Sequence, residues 1–263
     1  MYIELLPGIR QSSEHKGKVC KLKRALYGLK QSPRAWFRRF TLAMKATSYQ
    51  QSHVDHTLFV KHKDGKVMTL IVYVDNMILT GDDLEEMRTL REYLSAEFKI
   101  KDLGQLKYFL GIEVARSKQG ISLSQHKYVL DLLSETGMLA CKPIETPIQM
   151  NHRLGILLNQ IPIDMGWYQI LVGRLIYLTH TRPNITYVVD IVSQFMHAPS
   201  EDHMDAVYRI LRYLKGMPGK DLLYSKNGVS NIEGYIDTNW AGHQTTRRST
   251  SGYLTFTEGN LIT

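Results

Sequence analysis

Asp75 and Asn76 sit between two apolar runs, Leu70-Ile71-Val72-Tyr73-Val74 and Met77-Ile78-Leu79-Thr80. Both residues are depleted from strand interiors and accept turn conformations, so the pattern reads as strand, tight turn, strand, with Asp75-Asn76 as the turn. The arms are apolar almost without a break, which predicts a hairpin buried on most of its surface. A carboxylate at such a tip is either a turn former or a metal ligand.

Other groups capable of chemistry are less well placed. Of the ten histidines, His53 and His56 have no matching second pair, and His197 and His203 are six apart. They read as surface or capping residues rather than metal ligands. Cys20 and Cys141 are far apart with no Cys-x-x-Cys spacing, which excludes a disulfide scaffold and a cysteine zinc site and fits a reducing compartment. No Ser/His/Asp set or Gly-rich phosphate loop stands out.

Charge points elsewhere. The net charge is +8, and eleven Lys and Arg residues face only Glu4 and Glu14 within the first 45 positions. Tyr27, Trp36 and Phe37 are interleaved with these cations. That is an electrostatic footprint for a polyanion, with nucleic acid first and an anionic membrane surface second.

The elements that must position these groups follow from periodicity. Ser32-Pro33 begins a helix, Ser as N-cap and Pro at the first helical position, with Trp36, Phe37, Phe40 and Met44 on its core face. Residues 26–33 form the loop that feeds it. Strands over 58–60 and 67–74 are joined through Asp64-Gly65, a strong hairpin signal. Asp83 with Glu86 resembles a capping box for a helix striped by Leu84, Met87, Leu90, Leu94 and Phe98. A hairpin of residues 106–115 and 120–124 follows, then a helix over 125–136 with Gly137 at C′. Residues 148–165 read as a linker. Three helices then run over 167–178, from 181 onward, and from a Ser200 cap to Gly216. Strands follow at 222–225, 232–236, 252–256 and 261–263. An apolar fraction of 43% and a charged fraction of 22% are those of a globular chain, and no run is long enough to span a bilayer.

Several ordered blocks carry a resemblance. They are Ala25-Leu26-Tyr27-Gly28-Leu29-Lys30-Gln31-Ser32-Pro33-Arg34-Ala35-Trp36, Tyr73-Val74-Asp75-Asn76, and Lys101-Asp102-Leu103-Gly104 running to Tyr108-Phe109-Leu110-Gly111-Ile112. In this order they resemble the reverse transcriptase of copia-type LTR retrotransposons, abundant in plants. Leu171-Val172-Gly173-Arg174-Leu175-Ile176-Tyr177, Thr181-Arg182-Pro183-Asn184-Ile185 and Leu211-Arg212-Tyr213-Leu214-Lys215-Gly216 resemble the segment that follows the polymerase in that Pol polyprotein. Gly234-Tyr235-Ile236-Asp237, Trp240-Ala241-Gly242 and Arg248-Ser249-Thr250-Ser251-Gly252-Tyr253 resemble the opening of its ribonuclease H domain.

The resemblance implies an α+β fold with an antiparallel sheet. Residues 1–147 would be fingers, palm and a primer-grip-like hairpin. Residues 148–220 would be a linker and a helical thumb or connection, and 221–263 the first strands of a ribonuclease H-like domain. It implies RNA-directed DNA polymerisation on an RNA or DNA primer-template with dNTPs, by a two-metal mechanism using Mg²⁺ or Mn²⁺. Asp75 would be a metal ligand at the tip of the family's Tyr-x-Asp-Asp hairpin, beside Tyr73. Lys30, Gln31, Ser32 and Arg34 would contact nucleotide or template, and Asp237 would be a metal ligand of the ribonuclease H site. The setting would be intracellular, in a cytoplasmic virus-like particle or the nucleus, with no membrane partner.

The sequence departs from the family at three points. Its second hairpin Asp is Asn76 here, and Asn239 stands at another acidic position. Its first catalytic Asp precedes the segment matching Tyr2-Ile3-Glu4-Leu5-Leu6-Pro7-Gly8, and the remaining ribonuclease H carboxylates would follow Thr263. The expectation is therefore a chain inactive on its own, a nucleic-acid-binding remnant or a transposon relic being the alternative.

Overall fold

The computed structural model describes residues 2–4, 19–21, 28–150, 152, 154–155, 161–228, 231–240 and 249–263, with residues 2–4 and Asn239 by backbone alone. The chain divides into two compact units, Met1–Gly104 and Gln105–Thr263. Among the described residues every strand pair is antiparallel, and helices and sheets mix in both units. No helix among them is long and apolar enough to cross a membrane.

In the first unit, β1 (Tyr2–Glu4) pairs with β2 (Val19–Lys21). Helix α1 (Ser32–Ala46) precedes a four-stranded sheet of β3 (Gln50–Gln51), β4 (Leu58–Lys63), β5 (Lys66–Tyr73) and β6 (Asn76–Gly81), in chain order. Helix α2 (Leu84–Phe98) closes the unit. Phe40 and Met44 of α1 and Leu90 and Leu94 of α2 pack with Phe59, Met68, Leu70 and Val72 of the sheet. Among the described residues the helices cover one face only. β5 therefore alternates, with Met68, Leu70 and Val72 buried while Val67, Thr69 and Ile71 are half-covered and Tyr73 is exposed. This corrects the expectation of a hairpin buried on most of its surface: its apolar runs are continuous, but one face stays partly open.

Local chemistry explains the turns and ends. Lys63 pairs with Lys66, and both Asp64 and Gly65 have positive φ (51° and 75°), as a type I′ turn requires. Asp83 caps α2 by accepting from the Glu85 and Glu86 backbone N–H groups. The Glu86 side chain does not complete the expected box, because it pairs with Lys61 on β4 at 2.7 Å. At α1 the N-cap is Gln31 rather than Ser32, which is already helical. Ser32 N donates to Leu29 O, so the helix tightens one residue earlier than the Ser-Pro signal suggests.

The second unit begins with β7 (Tyr108–Phe109), β8 (Ile112–Arg116) and β9 (Gly120–Ser124). The single arm expected over 106–115 is split, because Leu110 and Gly111 both take positive φ and form a turn. β10 (Leu222–Ser225) pairs with β9, giving the order β10-β9-β8-β7. A Cβ at Gly120 would meet the Tyr224 carbonyl, so this close pairing requires glycine. Helices α3 (His126–Glu135), α4 (Met165–Leu178), α5 (Thr186–Ser193) and α6 (Glu201–Gly216) share one core that includes Val129, Leu133, Leu171, Leu175, Val189 and Leu211. A 3₁₀ turn, Pro183–Ile185, leads into α5. Gly137 stands after the α3 cap with φ 69°, the C′ geometry expected. The extended segment after it is strapped to α6, with Arg212 Nε donating to Lys142 O and Arg209 Nη2 to Thr146 Oγ1. β11 (Ile232–Asn239), β12 (Thr250–Thr257) and β13 (Asn260–Leu261) form a separate meander. The Asn260 side chain ties this meander to Ser225 of β10 through both backbone groups.

The start of α6 carries a titratable cap. Ser200 N donates to His203 Nδ1 at 3.0 Å, and the Ser200 hydroxyl lies 2.9 Å from the same nitrogen. The imidazole is buried and stacks on Phe195. Burial holds its pKa below the ordinary value, opposed in part by the Gly155 backbone and the Asp202 carboxylate. Nδ1 accepts only when unprotonated, so the cap requires neutral histidine. Because the folded pKa is depressed, its contribution is complete above about 6.5, the unfolded value, and is lost as pH falls through the folded value. We expect urea-unfolding stability to decline as pH falls below about 6.5, and the decline to flatten in His203→Gln, which keeps an acceptor but cannot titrate there. An identical decline in the variant would remove His203 as its source.

Candidate functional site

The β5–β6 register sets the geometry of the tip. Val72 pairs with Met77 and Tyr73 with Asn76, leaving Val74-Asp75 as the two-residue turn. The turn is thus one residue earlier than the polarity pattern places it. Val74 takes φ 54°. A positive φ at the first central position is the type II′ pattern, which normally places glycine there. A β-branched residue in that region is strained by about 1–3 kcal/mol, and such strain gathers at functional sites.

The turn lifts Asp75 into solvent. Tyr73, Val74, Asp75 and Asn76 are all exposed. Asn76 Nδ2 donates to Asp75 Oδ1 at 3.2 Å. The amide therefore occupies one carboxylate oxygen that a cation would use, and adds no charge of its own. A lone exposed carboxylate such as Asp75 can offer a hard cation one anionic ligand. By itself it does not fit a two-metal clamp, and no three His, Cys, Asp or Glu side chains converge among the described residues.

The loop before α1 belongs to the same unit. Gly28 has φ 87°, turning the chain into Leu29 and Lys30. Lys30, Gln31 and Arg34 are exposed and Ser32 is half-buried. The first turn of α1 contains no acidic residue, so its positive end is reinforced by Arg34 rather than neutralised. Glu4 is described by backbone alone. Ala25, Leu26 and Tyr27, and the basic residues Arg10, Lys16, Lys18, Lys23 and Arg24, lie outside the described residues.

Asp237 belongs to the second unit. It is exposed on β11, opposite Gly252 of β12. Ala241, Gly242 and Arg248 of the corresponding blocks are outside the described residues, as is the Asn239 side chain. Periodicity missed Val74, whose conformation has no compositional signal, and it missed the buried Arg182, which no apolar stripe announces.

A family model, reverse transcriptase (RNA-dependent DNA polymerase), matches residues 1–150. The chain belongs to the reverse transcriptase family. Its relatives include Pol polyproteins of copia-type transposons. The retrovirus-related Pol polyprotein from transposon RE1 of Arabidopsis thaliana is 40% identical over 90% of this chain and 16% of its own length. That from transposon TNT 1-94 of Nicotiana tabacum is 34% identical over 100% of this chain and 20% of its own length. An uncharacterized mitochondrial protein of Arabidopsis thaliana is 42% identical over 74% of this chain and 81% of its own length. The chain thus spans 16% of the RE1 relative. No solved structure matches it.

Proposed function

We propose that this chain carries the palm hairpin and nucleotide-facing loop of a copia-type RNA-directed DNA polymerase, with a metal site weakened at Asn76. The single observation that carries the reading is Asp75, raised into solvent on a strained two-residue turn within the family's ordered blocks. When bound, Mg²⁺ or Mn²⁺ would activate a primer 3′-hydroxyl and stabilise the leaving pyrophosphate. The chain's own share is to present one carboxylate at the tip, with Tyr73 beside it. Lys30, Gln31, Ser32 and Arg34 offer cationic and hydrogen-bonding groups to nucleotide phosphate, base or sugar.

In this reading residues 1–147 are fingers, palm and primer-grip-like hairpin, and 148–220 linker and thumb or connection. Residues 221–263 are ribonuclease H-like, with Asp237 a second inherited metal ligand. The partners are an RNA or DNA primer-template and dNTPs, in an intracellular setting.

A second reading, a catalytically silent nucleic-acid-binding remnant, is favoured by the Asn76 amide bonded to the Asp75 carboxylate. One pair of measurements separates them. Mn²⁺ added to the ¹⁵N-labelled chain should broaden the amides of residues 73–77 selectively, and Asp75→Ala should abolish this. Primer extension with Mg²⁺ or Mn²⁺ should remain at background. Extension that disappears in Asp75→Ala would show that the tip suffices and overturn the weakening. Absence of selective broadening would remove the metal role and leave the remnant.

A further inference from the structure

The outer flank of α1 carries a row of cations that the hairpin tip does not use. Arg34, Arg38 and Lys45 are all exposed. At 3.6 residues per turn they fall within an arc of about 40°, along about 16 Å of helix. None has an ion-pair partner among the described residues, and α1 contains no acidic residue at all. A solvated helix face ordinarily intersperses both signs, because like charges at i, i+4 repel. Arg34 and Arg38 stand in that relation with nothing between them.

Arg39 is the informative contrast. It is adjacent in sequence but points about 100° away from Arg38. Its guanidinium pairs with Glu97 at 2.9 Å and lies over the Phe98 ring at 5.3 Å. It ties α1 to α2. The helix thus commits one arginine to its neighbour and leaves the row open.

The row also has a definite side. The other face of α1, through Phe40 and Met44, packs on the sheet. Residues such as Thr69 and Ile71 point from β5 to the opposite side of that sheet. Arg38 and Lys45 thus stand on the helix side of the sheet, not on the side that Thr69 and Ile71 face.

We propose that Arg34, Arg38 and Lys45 form a second, sequence-independent contact for nucleic-acid phosphates, on the helix-covered side of the first unit. The proposal rests on the reverse transcriptase reading for its choice of polyanion, but not on the metal tip. The row reaches about five nucleotides at about 3.4 Å per nucleotide along one strand. No base is read, since the groups are cations on flexible stems around the exposed Leu42.

The test is fluorescence anisotropy of a fluorescein-labelled single-stranded oligothymidylate with the full chain, in EDTA, across a potassium chloride series. Arg34 is left intact because it also serves the nucleotide-facing loop. Arg38→Gln/Lys45→Gln should lower the slope of log Kd against log salt by about 1.4, at about 0.7 per phosphate contact for a single strand. Arg39→Gln and Asp75→Ala should leave the slope at the parent value. A slope in Arg38→Gln/Lys45→Gln equal to the parent's overturns the proposal, as does parent binding to phosphatidylserine vesicles but not to the oligonucleotide. Both substituted side chains are solvent-facing, and an unchanged thermal transition confirms that the double variant is folded. The two readings fail separately: loss of Mn²⁺ broadening at the tip with a lowered slope removes the metal site and keeps this surface, and the converse does the reverse.

Discussion

Arg182→Ala should lower the unfolding free energy of the second unit by about 4 kcal/mol. The side chain is 1% exposed. It donates from Nη1 to Met217 O at 2.8 Å and from Nη2 to Pro218 O, in the loop that follows α6. Its cation therefore sits at the negative end of the α6 dipole, where it is favourable. Next to it, the buried Thr181 donates to Gln125 Oε1 at 2.8 Å, bringing in the start of α3. One cluster thus fastens the beginning of α3, the end of α4 and the end of α6. Removing the guanidinium leaves two carbonyls unpaired and a void the size of a long side chain. Hydrogen bonds from a charged donor contribute about 1.5–3 kcal/mol each, so the carbonyls alone account for most of the loss. Arg182→Lys should recover only part of it, because an ammonium is a point donor that cannot span both carbonyls as a planar fork does. Urea unfolding followed by hydrogen exchange of the α3 to α6 amides measures this. A loss within about 0.5 kcal/mol, as for an ordinary surface change, would mean that the contacts are incidental.

Asn76→Asp should tighten Mn²⁺ binding at the hairpin tip by about tenfold, about 1.4 kcal/mol. The substitution removes the amide that donates to Asp75 Oδ1 and supplies a second anionic oxygen donor beside it. Both changes favour a hard cation. The same change places two carboxylates side by side, so the metal-free protein should lose some stability, and regain it as Mn²⁺ is added. Isothermal titration of the parent, Asn76→Asp and Asp75→Ala/Asn76→Asp separates the contributions. If the double variant binds as tightly as Asn76→Asp, the ion is not held at Asp75. If Asn76→Asp binds no better than the parent, the amide is not what weakens the site.

Much of the fold was legible because it is local. The Asp64-Gly65 turn, the Asp83 cap, Gly137 at C′ and the apolar faces of α1, α2 and α6 each depend on residues within a few positions of one another. What was not legible depends on distant partners. Polarity alone put the tip turn at Asp75-Asn76, but pairing of Tyr73 with Asn76 shifts it to Val74-Asp75. The capping-box reading of Glu86 failed because Lys61, on another strand, takes its carboxylate. Histidine was expected on the surface or at caps, and His203 proved to be a cap that is buried as well. Arg182 gave no signal, since a buried cation is recognised only once the carbonyls it meets are placed. For the candidate site, the place of Asp75 at a hairpin tip could be read from the chain, but its exposure and its hydrogen bond from the Asn76 amide could not.

The pairing of β10 with β9 bears on the order in which the protein assembles. Ser122 and Asp221, joined by a hydrogen bond at the edge of that pair, are 99 positions apart. Closing a loop of that length carries an entropic cost of about 4 kcal/mol before any contact offsets it. In the four-stranded sheet of the first unit, by contrast, every strand neighbours the next in the chain. That sheet can zip from its own turns. The second unit must first collect α3 to α6 into a core, which shortens the effective loop and brings Leu222–Ser225 to the waiting edge of β9. On a ribosome the first unit would be complete while β9 was still an open edge, and the interval before β10 emerges is when that edge is most exposed to pairing with another chain.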